Sequence, residues 1–347
     1  MSGTPPCASP CHVLVTGQLR TPDRLLASLR QWRQLRAQGL VARVLVVTWD
    51  DDARQSPELC RSVQDLGAEL LVRPAPPIRG IGHVWPQTIA LLNGLDAIGD
   101  DTAWVLKTRA DLSIDPGFLR ALLSAPGLLQ CDAGAPFDAR IWIPWFERTK
   151  PFYVADECFL GASRDLRKLC NLDESYSLLW NIGCGVTHIR RFIHPFRAHT
   201  DAFEPFLSSL TECGHFRPDR WEILARLLHD DQYLDAIAAY YAALSSWFRV
   251  SSPDGAITFR AWSSGAPQPE IGDMAHAFTP APDVLNGGGH LFAHAEPWLH
   301  AAVTNTLTGQ LAERFAVSLE RARERGLPVA LPSAPSPTMP SREPEVV

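Results

Sequence analysis

The chain lacks the features that mark nucleic-acid-binding, membrane-spanning and secreted proteins. Its 32 lysines and arginines are outnumbered by 38 aspartates and glutamates, and the net charge of -6 argues against general nucleic-acid binding, which needs a basic surface. No apolar run is long enough to span a bilayer. The first six residues show no basic region followed by an apolar stretch, so we expect no signal peptide. We therefore expect a cytoplasmic protein without a transmembrane segment, in at most peripheral contact with the inner face of the membrane.

The cysteine patterns of a zinc site are also missing. None of the eight cysteines forms a C-x-x-C pair, and the closest spacing, Cys7 to Cys11, has no matching second pair. Most of the others lie among apolar residues, as Cys158 does before Phe159 and Leu160. This context favours buried, reduced thiols over metal ligands.

Several common enzyme signatures are absent as well. The chain has no G-x-G-x-x-G after its first predicted strand, no Walker A motif and no G-x-S-x-G elbow. Gly80 and Gly82 lack the third glycine of a dinucleotide fingerprint and are better explained by a loop. His290 and His294 have helical spacing for two metal ligands, but without H-E-x-x-H they are better explained as unrelated histidines.

What the chain does contain is an alternation of strands and helices. The predicted strands are His12–Thr16, Val41–Thr48, Glu69–Val72 and Thr102–Lys107. Predicted helices separate them, opening at Thr21–Pro22, covering 58–66 and covering 84–98. The second strand ends at Trp49-Asp50-Asp51-Asp52. Strands separated by helices of this length predict βαβ units, an α/β fold class and a mostly parallel sheet.

The second half of the chain is less regular and richer in helix. Its predicted strands are 139–144 and 151–155, a helix opens at Ser163, and strongly helical patterns cover 218–248 and 304–325. We expect residues 1–11 to be a flexible N-terminus and 12–326 to be a single domain. Six prolines and little apolar periodicity predict a disordered tail over 327–347.

Three charged residues follow the fourth predicted strand at a spacing of two. Lys107, Arg109 and Asp111 would project from one face of an extended chain. In open α/β sheets, ligands bind beyond the carboxyl ends of the strands. A cationic pair beside a carboxylate suits a phosphate-bearing ligand and its divalent metal. A solvated, ion-paired strand end is the alternative explanation.

The first predicted strand also ends in residues that suit phosphate binding. Gly17 allows close backbone approach, Gln18 follows it, and Arg20 supplies a planar set of donors. A turn glycine beside a solvated arginine would explain the same residues.

The second predicted strand ends at Thr48, Trp49 and Asp50. Trp49 could stack on a base while Asp50 bonds a ribose hydroxyl, or the pair could be a buried aromatic followed by an acidic turn. Three polar strand ends along one edge are less readily explained by chance than a single one.

The order of these motifs resembles that of a known family. V-T-G-Q-L-R-T, then V-V-T-W-D, a helix containing Gln87, and W-V-L-K-T-R-A-D-L are similar to the WavE-type lipopolysaccharide-synthesis glycosyltransferases and related bacterial GT-A-like proteins. The later segment from Asp156 to Gly161 resembles their D-x-x-F-x-G sequence. The resemblance covers roughly residues 12 to 250.

This resemblance implies a GT-A-like fold with a Rossmann-like half-sheet flanked by helices and an α-rich C-terminal part. It implies a nucleotide-binding half over 12–125 and an acceptor half with C-terminal helices over 126–326. The implied activity is transfer of a sugar from a nucleotide sugar to a glycan or lipid-linked glycan acceptor, as in lipopolysaccharide or capsule synthesis.

The resemblance places Arg109-Ala110-Asp111 at the D-x-D metal motif, where Arg109 replaces the first acidic residue. Asp111 would then hold Mn²⁺ or Mg²⁺, while Arg20, Lys107 and Arg109 face the diphosphate. Gly17, Gln18, Thr48, Trp49, Asp50 and Gln87 complete the expected donor site. Arg109 could instead neutralise the diphosphate itself, in which case no metal would be needed.

An inverting transfer needs a carboxylate to deprotonate the acceptor hydroxyl. Asp156 and Glu157, just after a predicted strand, are the candidates, and a turn or N-cap role is the alternative for Asp156. The weakened metal motif also suits a different class of protein. That class would be a non-catalytic protein that binds a nucleotide or phosphosugar during polysaccharide assembly.

Overall fold

The structure of the chain is a computed structural model. The residues it describes are 10–77, 84–124, 136–144, 157–170, 230–232, 234–235, 239, 247–250, 257–259, 313–314, 317–318 and 320–326. The predicted tail, 327–347, and the predicted strand at 151–155 lie outside these residues.

A seven-stranded sheet forms the centre of the described fold. Its strands are β1 (Cys11–Thr16), β2 (Val41–Trp49), β3 (Glu69–Arg73), β4 (Trp104–Arg109), β6 (Ile141–Ile143), β7 (Phe159–Ala162) and β8 (Phe248–Val250), and β5 (Leu112–Ile114) with β9 (Ile257–Phe259) forms a second, two-stranded sheet. The order across the large sheet is β3-β2-β1-β4-β7-β6-β8. The first four strands in that order are parallel, and β7 is antiparallel to both of its neighbours. The predicted α/β class, with a mostly parallel sheet flanked by helices, is confirmed.

Helices cover both faces of the parallel strands. They are α1 (Pro22–Ala37), α2 (Asp50–Gln55), α3 (Pro57–Asp65), α4 (Val84–Ile98), α5 (Pro116–Ser124) and α6 (Ser163–Lys168). Val13 and Val15 of β1 belong to the buried cluster that contains Leu29 and Trp32 of α1. Leu14 points to the opposite face, because side chains alternate along a strand, and there it lies against α4. None of the described helices combines the length and apolarity needed to cross a membrane.

The structure changes several predicted boundaries. β1 begins at Cys11, one residue before the predicted start at His12, and the Cys11 amide donates to Leu40 O at 3.0 Å. β4 continues to Arg109, beyond the predicted end at Lys107, because pairing with β1 continues that far. Phe248, predicted to end a helix, begins β8. The described residues between 313 and 324 are helical, in agreement with the predicted final helix.

We predict that Gly94→Ala destabilises the protein, although alanine favours a helix by about 1 kcal/mol over glycine. A Cβ at Gly94 would lie 2.9 Å from Leu14 Cγ and closer still to the Leu14 methyl groups. Leu14 is fully buried, so we expect overpacking to cost about 1 to 3 kcal/mol. Urea denaturation measures the change. A rise in the denaturation midpoint would show that α4 does not lie this close to β1.

Candidate functional site

The carboxyl ends of β1 and β4 meet where the strand order changes direction. From β1 the chain adds β2 and β3 on one side and then β4 on the other. Thr16 and Arg109 are register partners at this point, and the Ala110 amide donates to Thr16 O at 3.1 Å. In open α/β sheets, ligands bind in the crevice at such a switch point. We call this end of the parallel strands the carboxyl edge.

The turn after β1 leaves open space at the carboxyl edge. Gly17 has φ +119°, a conformation that other residues rarely adopt, and no atom lies within 4 Å of the position a Cβ would take. Buried Leu19 anchors the turn, and the Arg20 amide donates to Gln18 O at 2.9 Å. The Arg20 side chain is exposed and Gln18 is half-buried. The turn can therefore accept a ligand against its backbone, with a guanidinium at its far end.

Arg109 and Asp111 form a two-point ion pair beside this turn. Arg109 Nε donates to Asp111 Oδ1 at 2.9 Å, and Arg109 Nη2 donates to Asp111 Oδ2 at 2.6 Å. The side chains are 23% and 25% exposed, so the pair is partly shielded but reachable from solvent. A paired fork of this kind fixes the plane of the guanidinium, which suits it to a carboxylate or a phosphate.

The same pair bears on the predicted metal site. Both oxygens of Asp111 accept from Arg109, so a divalent cation would have to displace a guanidinium before either oxygen could bind it. In the described part of the chain, no group of three or more His, Cys, Asp or Glu side chains could hold a metal ion. The described residues therefore do not fit a metal centre by themselves, and the metal role of Asp111 stays a prediction.

Lys107 lies elsewhere than the spacing argument predicted. It shares a strand face with Arg109, but its side chain has no exposed surface. Its Nζ donates to the backbone oxygen of Glu157 at 3.3 Å and lies 5.2 Å from the centre of the Phe159 ring. The expected contact of Lys107 with a diphosphate stays a prediction. In this structure its side chain does not project with Arg109 but is buried beside the Phe159 ring and the Glu157 backbone oxygen.

The reversed direction of β7 brings Glu157 to the carboxyl edge. Phe159, at the start of β7, pairs with Lys107 near the end of β4. Glu157 lies two residues before Phe159 and is half-buried. Because β7 runs antiparallel to β4, this places Glu157 on the side of the site where β4 ends at Arg109. Asp156, the other predicted base, lies outside the described residues.

Cys158 lies beneath this edge and is fully buried. Burial raises the pKa of its thiol to about 12, and the nearby Lys107 charge opposes that shift only in part. The thiol is therefore protonated at neutral pH and is not a nucleophile.

The end of β2 supports the second of the two interpretations offered for it. Trp49 is buried, at 6% exposure, so its ring does not present a stacking surface. Asp50 opens α2, although that interpretation expected an acidic turn. Its carboxylate accepts from the Ala75 amide at 3.3 Å and pairs with Arg54 at 3.2 Å. Thr48 is buried, and its Oγ1 has no hydrogen-bond partner among the described residues. The described contacts of this strand end are structural.

Gln87 lies in the first turn of α4, which enters from the carboxyl-edge side of the parallel strands. It is half-buried, and its Oε1 has no hydrogen-bond partner within the described ranges. Gln87 therefore has acceptor capacity near the predicted donor site.

Sequence reasoning missed the residues that hold the chain after β4 in place. Thr21 Oγ1 donates to Ala110 O at 3.3 Å, and Gln31 Nε2 donates to Ile114 O at 2.9 Å. Ser28, also on α1, donates to Leu112 O at 3.4 Å. The polar residues on the inner side of α1 were the available signal, because such side chains need partners when buried.

Comparisons with known proteins add little to this geometry. No protein-family model matches the chain, and no curated protein does. Among solved structures, the chain is similar to glucosyl-3-phosphoglycerate synthase from Mycobacterium tuberculosis in complex with phosphoglyceric acid, with 14% identity and a TM-score of 0.30. The match covers 45% of this chain and 57% of that one, so the chain spans little more than half the length of the protein it matches. A likeness this weak carries no conclusion about fold or activity, and the resemblance to the WavE-type family stays a prediction.

Proposed function

We propose that the chain is a glycosyltransferase that moves a sugar from a nucleotide sugar to a cell-surface glycan of the lipopolysaccharide or capsule type. One observation carries the proposal. An open glycine turn and the Arg109–Asp111 pair meet at the switch point of a parallel sheet, where such sheets bind ligands. The motif order that resembles the WavE-type family supports a nucleotide sugar as the ligand.

The donor diphosphate would lie across the carboxyl edge. The Gly17 turn admits it close to the backbone, and Arg109 would face it with a guanidinium that Asp111 holds in plane. Arg20, exposed at the end of the turn, would supply a second positive charge. Transfer needs the developing charge on the leaving diphosphate to be stabilised, and preoriented cations do this without reorganising.

The acceptor would approach from the β7 side of the edge. A glycan hydroxyl must lose its proton as it attacks the sugar, and a carboxylate near neutral pH can accept that proton. Asp156 is our proposed base and Glu157 the neighbouring alternative. The half-buried place of Glu157 beside the end of β4 supports a carboxylate on this side of the donor.

The compartment belongs to the same proposal. Cys60 and Cys158 are free thiols, as expected of a chain that works in the reducing cytoplasm. A lipid-linked acceptor would bring the protein to the inner face of the membrane by peripheral contact.

We predict that Asp156→Ala stops transfer while leaving the affinity for the nucleotide sugar unchanged. A base acts on the acceptor hydroxyl and contributes about a hundredfold to ten-thousandfold in rate, without binding the donor. The measurement is release of nucleoside diphosphate from a panel of nucleotide sugars, alongside donor affinity by calorimetry. Each assay is run with Mn²⁺ and with EDTA, because a cation at Asp111 would compete with Arg109.

Glu157→Ala and Asp65→Ala complete this experiment. Asp65 is an exposed carboxylate at the end of α3, so its variant should behave as the wild type does. Loss of turnover in Glu157→Ala but not in Asp156→Ala would identify Glu157 as the base. Tight binding of a nucleotide sugar with no turnover in the wild type would favour the non-catalytic binding protein.

A further inference from the structure

The burial of Lys107 is a feature that donor binding leaves unexplained. Its side chain has no exposed surface, and an ammonium group removed from water is costly unless partners compensate for the lost hydration. A methionine would fill similar space without that cost. The charge therefore calls for a role that an apolar residue could not perform.

The contacts of Lys107 join three parts of the carboxyl edge. In the sheet it pairs with Leu14 of β1 on one side and with Phe159 of β7 on the other. Its Nζ donates to the backbone oxygen of Glu157, two residues before β7, at 3.3 Å and lies 5.2 Å from the Phe159 ring centre. An ammonium near an aromatic ring and on a carbonyl oxygen is held by two attractive contacts at once.

We propose that Lys107 is a positioning residue that fixes Glu157 at a set distance from Arg109. Lys107 and Arg109 lie two residues apart on one strand face, so one rigid strand carries both the donor-side guanidinium and the anchor of Glu157. The inference rests on the proposed function, because it concerns the geometry of that same site.

A role for Lys107 as a direct phosphate ligand is the competing explanation. It would require Nζ to leave the Glu157 oxygen and a side chain without exposed surface to reach solvent. The two roles differ in what they change. A direct ligand alters donor KM, whereas an anchor alters kcat because it sets the separation of reacting groups.

The test compares Lys107→Met with Leu106→Met in the full chain. Leu106 is the fully buried neighbour on the opposite strand face, so its variant controls for a changed core side chain. We expect Lys107→Met to lower kcat by about a hundredfold, the effect of a small misplacement of reacting groups, with donor KM within about threefold. Amide hydrogen exchange should accelerate at 157–159 in Lys107→Met and not in Leu106→Met.

Lys107→Gln guards against a variant that fails to fold. Glutamine keeps a hydrogen-bond donor directed along the same side chain, one atom shorter, so exchange at 157–159 and kcat should lie between wild type and Lys107→Met. A raised donor KM with unchanged kcat would overturn the proposal in favour of a phosphate ligand. Unchanged exchange at 157–159 in both variants would overturn it as well. If the wild type turns over no nucleotide sugar, the proposed function fails, and the exchange measurement alone decides whether Lys107 anchors Glu157.

Discussion

Replacing Asp165 with alanine is expected to lower the free energy of unfolding by about 1.5 to 3 kcal/mol, because a buried carboxylate that accepts several hydrogen bonds is lost. The Asp165 carboxylate has no exposed surface. It accepts from the Asp138 and Ala139 amides, both at 3.1 Å, and from Lys168 Nζ at 2.9 Å. Removing it leaves the two partly buried amides without their acceptor and loosens the segment that leads into β6.

The control for this prediction is Asp138→Ala. Asp138 forms an ion pair with Arg164 in which both side chains are nearly half exposed, so its loss should cost less than about 1 kcal/mol. Urea denaturation of both variants against wild type measures the difference. Equal losses in the two variants would contradict the account of Asp165 as the buried acceptor for this segment.

Replacing Arg109 with glutamine is expected to lower kcat/KM for the nucleotide sugar by about a hundredfold to a thousandfold, as removal of a preoriented charge-stabilising group does. Glutamine keeps a polar amide on a shorter side chain but removes the charge and the planar fork. It also frees the Asp111 carboxylate, which would then repel the diphosphate. Initial rates of nucleoside diphosphate release measure the effect.

The matched control is Arg43→Gln. Arg43 forms the same two-point pair, donating to Glu69 Oε1 at 2.8 Å and Oε2 at 2.7 Å, and this bond lowers the pKa of Glu69. That pair lies at the amino ends of β2 and β3, away from the carboxyl edge. The control should therefore keep wild-type activity. Equal loss in both variants would indicate a general effect on folding and not a donor site.

The sequence predicted the parallel strands well because each carries a local signal. β1, β2, β3 and α4 follow apolar runs and helix starts that a short window reveals, and their boundaries moved by one residue at most. The Gly17 turn was equally accessible, since glycine after a strand favours a turn that other residues resist.

The exposure and partners of the charged side chains at the site depend on contacts that no short stretch of sequence reveals. Spacing by two correctly placed Lys107 and Arg109 on one face of β4, but it could not show that Lys107 would be buried beside Phe159 of β7. The spacing also could not show that the Asp111 carboxylate would form an ion pair with Arg109. The contacts of Lys107 join segments far apart in the sequence, so a short window of sequence cannot reveal which of these charges meets solvent.

The burial of Trp49 has the same explanation. A tryptophan at a strand end can stack on a ligand or pack into the core, and the local sequence allows both. Only the tertiary fold decides, and here it leaves the side chain 6% exposed. The β-propensity of the sequence predicts the strand, whereas tertiary packing determines whether the tryptophan faces a ligand or the core.

The most direct test of the donor site is amide hydrogen exchange of the full chain with and without a millimolar mixture of nucleoside diphosphates. Binding at the carboxyl edge predicts slower exchange at 16–21 and 108–112, and no change at the amino ends of β2 and β3. Protection confined to the groove between α1 and α3, lined by Arg33, Arg36 and Asp65, would contradict the account. So would the absence of protection anywhere in the chain.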